Sequence, residues 1–409
     1  MTSPKGESPT GTSNRSTLNS DSPRKLLFIF GTRPEAIKLA PLVAEFHKTE
    51  RSAFKPVVCV TGQHREMLAQ VLSAFTIEPD FSLDVMQPGQ TLNGLTGRLL
   101  ASLEPVLEEV RPAMTVVQGD TTSTLCGALA SFHLQIPIAH VEAGLRTSDM
   151  SSPFPEEMNR VVTDRLSTLY FAPTDWGRKN LLSEGADPER VWVTGNTGID
   201  AVLSTRDALV RGELPGLCLP LDESKRLIVV TAHRRESFGS GIVEICNAVS
   251  TLAARPDVQV VWPVHPNPLV AAIVKERLAA TPNIRLIEPL EYVPFVDLMR
   301  RCHFLLTDSG GVQEEAPSLG KPVLVTRDKT ERPEAVNVGT VKLVGTNRDV
   351  ILRECFRLLD DPAEYTRMSL LHNPYGDGQA SKRIAGHIGR YLAQSGTASR
   401  ERAGSKELP

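Results

Sequence analysis

Acidic residues follow apolar runs of this 409-residue chain at places where carboxylates could transfer protons. Asp120 ends the segment VQGD, Glu142 lies in HVEAGLRT, and Glu156 opens EEMNR. Carboxylates gathered in a cleft suit general acid and base catalysis, because their mutual repulsion raises at least one pKa toward neutrality. Each acid alone also has a structural explanation, as a helix cap or a partner of the helix dipole. Their grouping in one half of the chain favours the chemical interpretation.

Basic side chains cluster in two segments that could bind phosphate. GTRPEAIKLAPL places Arg33 and Lys38 near a predicted helix start, where free backbone N–H groups attract anions. TAHRRESFG supplies His233, Arg234 and Arg235 directly after an apolar run. A single basic residue in such a position is usually surface decoration, but these clusters favour a phosphate or diphosphate site. The first segment lacks the G-x-G-x-x-G fingerprint of dinucleotide binding.

The segment TDSGGVQEEAPSLG combines two adjacent glycines, which leave the backbone N–H groups accessible, with acidic side chains. Ser309, Gly310 and Gly311 offer N–H groups to a phosphate at a predicted helix N-terminus. Glu315, about one turn further on, is placed to accept hydrogen bonds from two ribose hydroxyls, as acids do in nucleotide-binding folds. We therefore expect the second half of the chain to bind a nucleoside diphosphate and the first half to carry the acid and base chemistry.

The elements that must position these residues are strand-like apolar runs alternating with segments of helical periodicity. In the first half, the predicted strands cover residues 26–30, 55–60, 114–118, 136–141, 169–172 and 191–195. The pattern restarts with predicted strands at 226–233, 258–265, 284–290, 303–310 and 321–326. This order predicts an α/β fold with two doubly wound parallel sheets, which bind ligands beyond the carboxyl ends of their strands.

Composition narrows the class of protein. A hydrophobic content of 41%, a charged content of 23% and a net charge of −3 indicate a soluble globular protein with no electrostatic reason to bind nucleic acid. No apolar run approaches the roughly 20 residues needed to span a bilayer. The six cysteines are scattered singly, which favours core positions in a reduced, cytoplasmic protein over metal or disulfide sites. Residues 1–24 and 395–409 are polar and are predicted to be disordered tails.

A set of motifs, taken together, resembles the bacterial non-hydrolysing UDP-N-acetylglucosamine 2-epimerases. The motifs are GTRPEAIKLAPL, GDTT, HVEAGLRT, PFPEEMNR, TGNT, HRRESFG, PVHPNP, TDSGGVQEEAPSLGKPVLV, TERPEAV and NPYGDG. They run in this order from about residue 25 to residue 392, so the resemblance covers everything but the tails. No single motif would identify the family, but the full set is very specific.

The resemblance implies the GT-B fold, in which two Rossmann-like domains face a central cleft. The N-terminal domain would cover residues 25–200 and would be joined by a linker region at 201–225. The UDP-binding C-terminal domain would cover residues 226–374. Residues 375–394 would form a helix that crosses back to the N-terminal domain.

The resemblance also implies reversible interconversion of UDP-N-acetylglucosamine and UDP-N-acetylmannosamine, without a metal or nicotinamide cofactor. The family's route eliminates UDP to leave 2-acetamidoglucal, then adds UDP back after protonation on the other face of C2. Asp120, Glu142 and Glu156 match the acids implicated in catalysis, and His233 matches the histidine beside the diphosphate. Which acid is the base in each direction stays open. The product would supply cell-surface polysaccharide synthesis.

Further positions match ligand contacts of the family. The substrate-binding residues implied in this way are Arg33, Lys38, Arg160, Arg235, Phe295, Ser309, Gly310, Gly311 and Glu315. Phe295 would lie against the uracil. A second molecule of UDP-N-acetylglucosamine, acting as an allosteric activator, would contact Gln63, Arg98, Arg234 and His265. The resemblance also implies a homodimer, with no nucleic acid and no membrane among its partners.

Three other functions use parts of the same residue set. A hydrolysing 2-epimerase, which releases UDP and N-acetylmannosamine, needs the same elimination step and therefore the same acids. A GT-B glycosyltransferase shares the fold and the UDP site but needs an acceptor groove where this chain offers Asp120, Glu142 and Glu156. A non-catalytic sensor of UDP-sugars would tolerate the loss of these acids, and all of them are present.

Overall fold

Two parallel β-sheets covered by helices make up the protein in the computed structural model. The structure describes residues 23–48, 52–62, 65–234, 238–330 and 332–404. Within these residues, a seven-stranded sheet belongs to the first half of the chain and a six-stranded sheet to the second. The predicted α/β class with two doubly wound parallel sheets is confirmed.

The first sheet has the strand order β3-β2-β1-β4-β5-β6-β7, and its neighbouring strands pair in parallel. Its strands are β1 (Arg24–Phe30), β2 (Phe54–Val60), β3 (Phe81–Ser82), β4 (Met114–Gln118), β5 (Ile138–Val141), β6 (Leu169–Ala172) and β7 (Val191–Val193). The order reverses between β1 and β4, so the segments after those two strands diverge and leave a crevice at the carboxyl edge.

The second sheet has the strand order β10-β9-β8-β11-β12-β13, again with parallel pairs. Its strands are β8 (Arg226–Thr231), β9 (Val258–Pro263), β10 (Ile284–Ile287), β11 (Phe304–Thr307), β12 (Val323–Val325) and β13 (Val341–Leu343). Here the order reverses between β8 and β11. The segments after these two strands are those predicted to contact the diphosphate.

The helices lie between the strands in both halves. In the first half they are α1 (Arg33–His47), α2 (Arg65–Ala74), α3 (Leu92–Val110), α4 (Thr122–His133), α5 (Glu156–Leu166), α6 (Asp175–Ser183) and α7 (Thr197–Val210). In the second half they are α8 (Ser240–Ala253), α9 (Pro268–Leu278), α10 (Tyr292–Arg301), α11 (Gly310–Glu315), α12 (Pro333–Val338), α13 (Arg348–Asp360), α14 (Pro362–Leu370) and α15 (Ala380–Gly404).

The central strands are apolar throughout because helices cover both of their faces. Residues 26–30 of β1 are completely buried, as are Val229 and Val230 of β8. Such continuous apolar runs are typical of parallel sheets, whereas a sheet with one wet face alternates between apolar and polar residues. The most central strands were for this reason the easiest to predict.

The last helix joins the two halves. Ile384, Ile388 and Leu392 of α15 are buried in the same apolar cluster as Leu39 and Val43 of α1. The helix therefore packs against the first domain, although the sheet that precedes it belongs to the second. None of the helices in the described ranges combines the length and apolar character required to cross a membrane.

Several predicted boundaries differ from the structure. Helix α15 continues to Gly404, so part of the predicted tail at 395–409 is helical. Helix α7 runs through Val210, well into the predicted linker at 201–225. The edge strands β3 and β13 were not predicted. The edge strands are very short, and the ends of the two helices carry little apolar pattern. Hydrogen bonding and pairing with neighbouring elements determine where such segments begin and end.

Candidate active site

A cavity of about 570 Å³ lies where the carboxyl ends of the two sheets face each other. Most of its wall comes from the first domain, and the second domain contributes Arg234, Glu314, Arg332 and Glu334. The predicted residues that line it are Lys38, Asp120, Glu142, Glu156, Arg160 and Arg234. All three predicted catalytic acids therefore face one shared space.

Glu142 is held by the densest set of donors in this wall. It follows β5 with a positive φ of 67°, a backbone conformation that costs energy for a residue with a side chain. The Lys38 Nζ donates to its two carboxylate oxygens at 2.6 and 2.7 Å. The side-chain amides of Gln118 and Asn196 donate to it as well. These donors fix the Glu142 carboxylate in one orientation.

Asp120 lies on the neighbouring strand end, after β4. Its carboxylate is 2.7 Å from a terminal nitrogen of Arg160, and its backbone carbonyl accepts from the Asn159 side chain at 2.8 Å. Burial raises the pKa of Asp120 above its ordinary value, and the positive charges of Arg160 and Lys38 oppose that rise. A carboxyl whose pKa is moved toward neutrality by burial is suited to exchanging protons.

The two adjacent glutamates at the start of α5 have different surroundings. Glu156 is half-buried and lines the cavity. Glu157 is only 1% exposed, and its Oε1 accepts from the backbone N–H groups of Thr147 and Ser148 at 2.9 and 3.0 Å. Glu157 therefore anchors the loop after β5, while Glu156 remains available to a ligand.

Glu314 connects the acids of the first domain to the second domain. The Asn196 side chain donates to its carboxylate at 3.0 Å and to that of Glu142 at 3.2 Å. Lys38 Nζ lies 4.0 Å from Glu314, and Arg332 Nε donates to it at 2.5 Å. Burial works against the charge on Lys38, but Glu142 and Glu314 raise its pKa above the ordinary value. Lys38 thus bridges carboxylates of both domains.

The turn after β11 holds the predicted phosphate-binding residues. Ser309 is the N-cap of α11 but makes no side-chain cap hydrogen bond. The Arg332 guanidinium lies directly over Gly310, since a Cβ added there would be 2.6 Å from the Arg332 Cζ. A side chain at this position would have to displace the Arg332 guanidinium. A guanidinium and a helix start therefore face one another at this turn.

His233 is fixed by Asp308 at the reversal point of the second sheet. Both Nδ1 of His233 and its backbone N–H lie close to the Asp308 carboxylate, at 3.1 and 2.6 Å. The ring of His265 stacks on His233 with centroids 5.1 Å apart. Burial alone would raise the pKa of Asp308, but hydrogen bonds from His233 and from the Arg234 backbone lower it below its ordinary value. The pKa of His265 is lowered by burial and by the neighbouring His233.

Glu315 is half-buried at the end of α11. Burial, reinforced by the adjacent Glu314, raises its pKa to about 8, while Lys38 and Arg33 of the first domain act in the opposite direction. Phe295 lies half-buried on α10. Neither Glu315 nor Phe295 lines the cavity that holds the three acids, so their side of the cleft is separate from it in this structure.

The remaining predicted residues have other positions. Arg98 on α3 donates to the Val85 carbonyl at 3.0 Å and to the Gln90 side chain, so its guanidinium is engaged within its own domain. It does not line the cavity. Gln63 and Arg235 lie outside the described residues.

Several residues of the cavity wall have no role that the sequence predicted. Asn196, Arg332, Glu334 and Tyr375 come from the motifs TGNT, TERPEAV and NPYGDG, which were noted only as marks of resemblance. Glu334 accepts from Thr174 at 2.9 Å and from the Tyr375 hydroxyl at 3.1 Å, which links the two domains. The available signal was polar residues at strand or helix ends within these motifs. Their partners, however, are far away in the chain.

Comparison with known proteins is consistent with this geometry. The sequence model described as UDP-N-acetylglucosamine 2-epimerase matches residues 47–389. The chain is 54% identical over 366 residues to the UDP-N-acetylglucosamine 2-epimerase of Escherichia coli strain K12, which covers 88% of this chain and 97% of that protein.

Solved structures agree with the sequence matches. The UDP-GlcNAc 2-epimerase of Neisseria meningitidis, bound to UDP-GlcNAc, has a TM-score of 0.81 and 46% identity, covering 90% of this chain and all of that one. An S. aureus co-structure with UDP has a TM-score of 0.80 and 44% identity, covering 90% of this chain and 97% of that one. The GT-B fold that the motifs implied is confirmed. This chain belongs to the UDP-N-acetylglucosamine 2-epimerase family.

Proposed function

We propose that this protein interconverts UDP-N-acetylglucosamine and UDP-N-acetylmannosamine by the non-hydrolysing route. The observation that carries the proposal is the placement of Asp120, Glu142 and Glu156 on one cavity wall, opposite Glu314 and Arg332 of the second domain. The substrate is supported by the relatives that are described as bound to UDP-GlcNAc and to UDP.

The reaction needs stabilisation of the negative charge on the departing UDP and a base that takes the proton from C2 of the sugar. The C2 proton is only weakly acidic, but loss of UDP from C1 builds positive charge next to it. A carboxylate takes the C2 proton, the C–H electrons form the C1–C2 double bond of 2-acetamidoglucal, and UDP leaves with the C1–O electrons. Re-addition of the proton on the other face of C2 and of UDP at C1 gives the epimer.

The residues divide between these two tasks. Asp120, Glu142 and Glu156 exchange the protons, because they share the cavity, in which Arg160 pairs with Asp120 and Lys38 pairs with Glu142. His233 and Arg332 stabilise the negative charge of the departing diphosphate, since both lie at the carboxyl edge of the second sheet beside the Ser309 to Gly311 turn.

Lys38 has a part in both tasks. In this structure its ammonium group is paired with the Glu142 carboxylate. When a diphosphate enters, Lys38 can turn toward it from its position 4.0 Å from Glu314, leaving Glu142 free to take a proton. The negative charge of the ligand would thereby make the Glu142 carboxylate available as the base.

Proton NMR of the protein with UDP-N-acetylglucosamine in heavy water tests the proposal. The expected result is both UDP-sugars with deuterium at C2, in proportions that become constant with time. Free N-acetylmannosamine would instead indicate a hydrolysing 2-epimerase. Absence of C2 exchange would indicate a glycosyltransferase or a sensor of UDP-sugars. The Asp120→Asn variant serves as the control for exchange that does not depend on the acids.

The wider setting belongs to the same proposal. UDP-N-acetylmannosamine would supply cell-surface polysaccharide synthesis, and the enzyme would act as a cytoplasmic homodimer. The cytoplasmic placement is supported by six cysteines without a disulfide partner, five of them buried. A second UDP-N-acetylglucosamine would act as activator through Gln63, Arg98, Arg234 and His265. Of these four, Arg234 lines the cavity, and His265 stacks on the ring of the adjacent His233.

A further inference from the structure

His140 is a buried histidine, directly behind the acids, that the proposed reaction does not use. It lies on β5, and its side chain is completely excluded from solvent. Its Nδ1 is 2.7 Å from a carboxylate oxygen of Asp164, and its Nε2 is 2.8 Å from the backbone carbonyl oxygen of Gly119. Both ring nitrogens therefore face oxygen atoms.

The hydrogen bonds determine the charge on the ring. The Gly119 carbonyl can only accept, so Nε2 must carry a proton. Asp164 also accepts from the Arg146 guanidinium at 2.7 Å and from the Gly144 N–H at 3.2 Å, which a carboxylate does and a protonated acid does poorly. Nδ1 must then carry a proton too. The ring is an imidazolium paired with an aspartate, and the His140 and Arg146 charges lower the pKa of Asp164 despite its burial.

This ion pair contacts the backbone next to both catalytic strand ends. Gly119 immediately precedes Asp120 and has a φ of 73°. Gly144 comes two residues after Glu142 and has a φ of 86°, and a Cβ there would lie 2.2 Å from the Gly177 carbonyl oxygen. His140 and Asp164 provide one hydrogen bond to the backbone of each of these two loops.

We propose that His140 is a positioning residue whose imidazolium, paired with Asp164, fixes the strand ends that carry Asp120 and Glu142 and places a positive charge behind Asp120. The inference rests on the proposed 2-epimerase function. It concerns residues that touch no substrate and act only through the acids.

The charge has a consequence for the pH dependence of turnover. The charged groups that act on Asp120 are Arg160 and Glu156 of α5, Lys38 of α1 and His140 of β5. A positive charge favours the ionised form of Asp120, so removing the His140 charge raises the pKa of Asp120. The limb of the kcat–pH profile that is governed by the ionisation of Asp120 must then move to higher pH.

The test compares His140→Gln with His303→Gln, a partly buried histidine of the second domain that lies away from the site. We expect His140→Gln to lower kcat by about tenfold or more, with KM and the UDP dissociation constant within about twofold of wild type. The limb of the pH profile assigned to Asp120 should move upward. The control variant should change none of these quantities. Unchanged turnover and an unmoved pH profile in folded His140→Gln would overturn the proposal.

A measurement on the unmutated protein keeps the proposal testable if His140→Gln does not fold. ¹⁵N NMR of the histidine rings should show both His140 nitrogens protonated at pH 7, because both face hydrogen-bond acceptors. A neutral tautomer at pH 7 would overturn the proposal even in an active 2-epimerase. Conversely, an imidazolium in a protein that shows no C2 exchange would leave His140 as described and overturn the proposed function.

Discussion

Two of the turns in which a glycine follows a buried strand and precedes or begins a helix differ in what fills them. In the first domain, β1 leads through Gly31 and Thr32 into α1. In the second domain, β11 leads through Ser309 to the glycines of α11. The sequence predicts an anion-binding site at both turns, because each combines a glycine with a helix N-terminus at the carboxyl end of a strand.

The first turn is already occupied by a side-chain carboxyl group, that of Glu35. The Glu35 Oε2 accepts from the backbone N–H groups of Gly31 and Thr32 at 3.0 and 2.7 Å. The Thr32 side chain accepts from the Glu35 N–H in return, which completes a capping box. The other Glu35 oxygen accepts from Thr121 and Thr124 at 2.7 and 3.0 Å. A phosphate would have to compete with this carboxylate.

Among the residues that the structure describes, no carboxyl group accepts from the backbone N–H groups of the second turn in this way. Its N-cap, Ser309, makes no side-chain cap hydrogen bond, and the group that approaches Gly310 is the positively charged Arg332. An external anion is therefore better accommodated here. A glycine turn with a helix start is therefore only a potential anion site, because an acidic residue at the third helical position can occupy it. On the proposed function, the chemistry would fall to the first domain and nucleotide binding to the second.

The largest expected effect is a loss of turnover without a loss of UDP binding. Asp120→Asn and Glu142→Gln should each lower kcat by at least about a hundredfold, the usual scale for an acid or base group. The dissociation constant of UDP, measured by calorimetry, should change little because the UDP site belongs to the other domain. Glu109→Gln, an exposed change on α3, is the matched control. Near-normal turnover in either acid variant would contradict the division between the two domains.

The next effect sharpens the role of the second turn. Glu315→Ala should weaken UDP binding by about 2 kcal/mol, or about thirtyfold in the dissociation constant, because two ribose hydroxyls lose a charged acceptor. Glu288→Ala, an exposed change in the same domain, should leave UDP binding unchanged. If Glu315→Ala also binds UDP normally, Glu315 serves only as part of the helix and not of the ligand site.

The protonation of Glu315 gives a pH-dependent prediction. Its pKa of about 8 means that the unliganded carboxyl carries a proton at neutral pH, and this proton must leave before the group can accept from two hydroxyls. Ligand affinity should therefore rise with pH, by up to about tenfold per pH unit, and level off above about pH 8. UDP-N-acetylglucosamine binding to Asp120→Asn measures this without turnover.

Calorimetry in buffers of different ionisation enthalpy should show release of about one proton below the pKa of Glu315. The Glu315→Gln variant should lose both the proton release and the pH dependence of affinity. An affinity that is equally pH-dependent in Glu315→Gln would assign the titration to another group.

The smallest effect on ligand binding is expected at the first turn. Glu35→Ala should destabilise the protein by about 1–3 kcal/mol, because several buried donors lose their acceptor, yet UDP affinity should not change. Thermal unfolding with and without UDP measures both quantities. The pKa of Glu35 is raised by burial, against the hydrogen bonds that it accepts, so its stabilising effect is present at low pH and diminishes as pH rises. Tighter UDP binding in Glu35→Ala would show that the carboxylate had been blocking a phosphate site.

Much of the architecture followed from the sequence alone. Strands such as β1 and β8 are continuous apolar runs because helices cover both faces of a parallel sheet, and this pattern is local. The order of strands and helices then predicts two parallel sheets, and the carboxyl ends of those strands indicate where to look for Asp120, Glu142 and the Ser309 turn. The family resemblance rested on short motifs that each lie within one such connection.

The tertiary structure decided how these residues are paired and charged. Nothing local in the sequence shows that Asn196 joins Glu142 to Glu314, that Arg332 covers Gly310, or that His140 is held between Asp164 and Gly119. These partners are brought together by the folding of separate domains and strands. Pairing also decides which of two adjacent glutamates reaches the cavity, as at Glu156 and Glu157. The charge, burial and hydrogen bonding of a side chain depend on the residues that surround it in the folded protein. A single sequence does not show which distant residues those are.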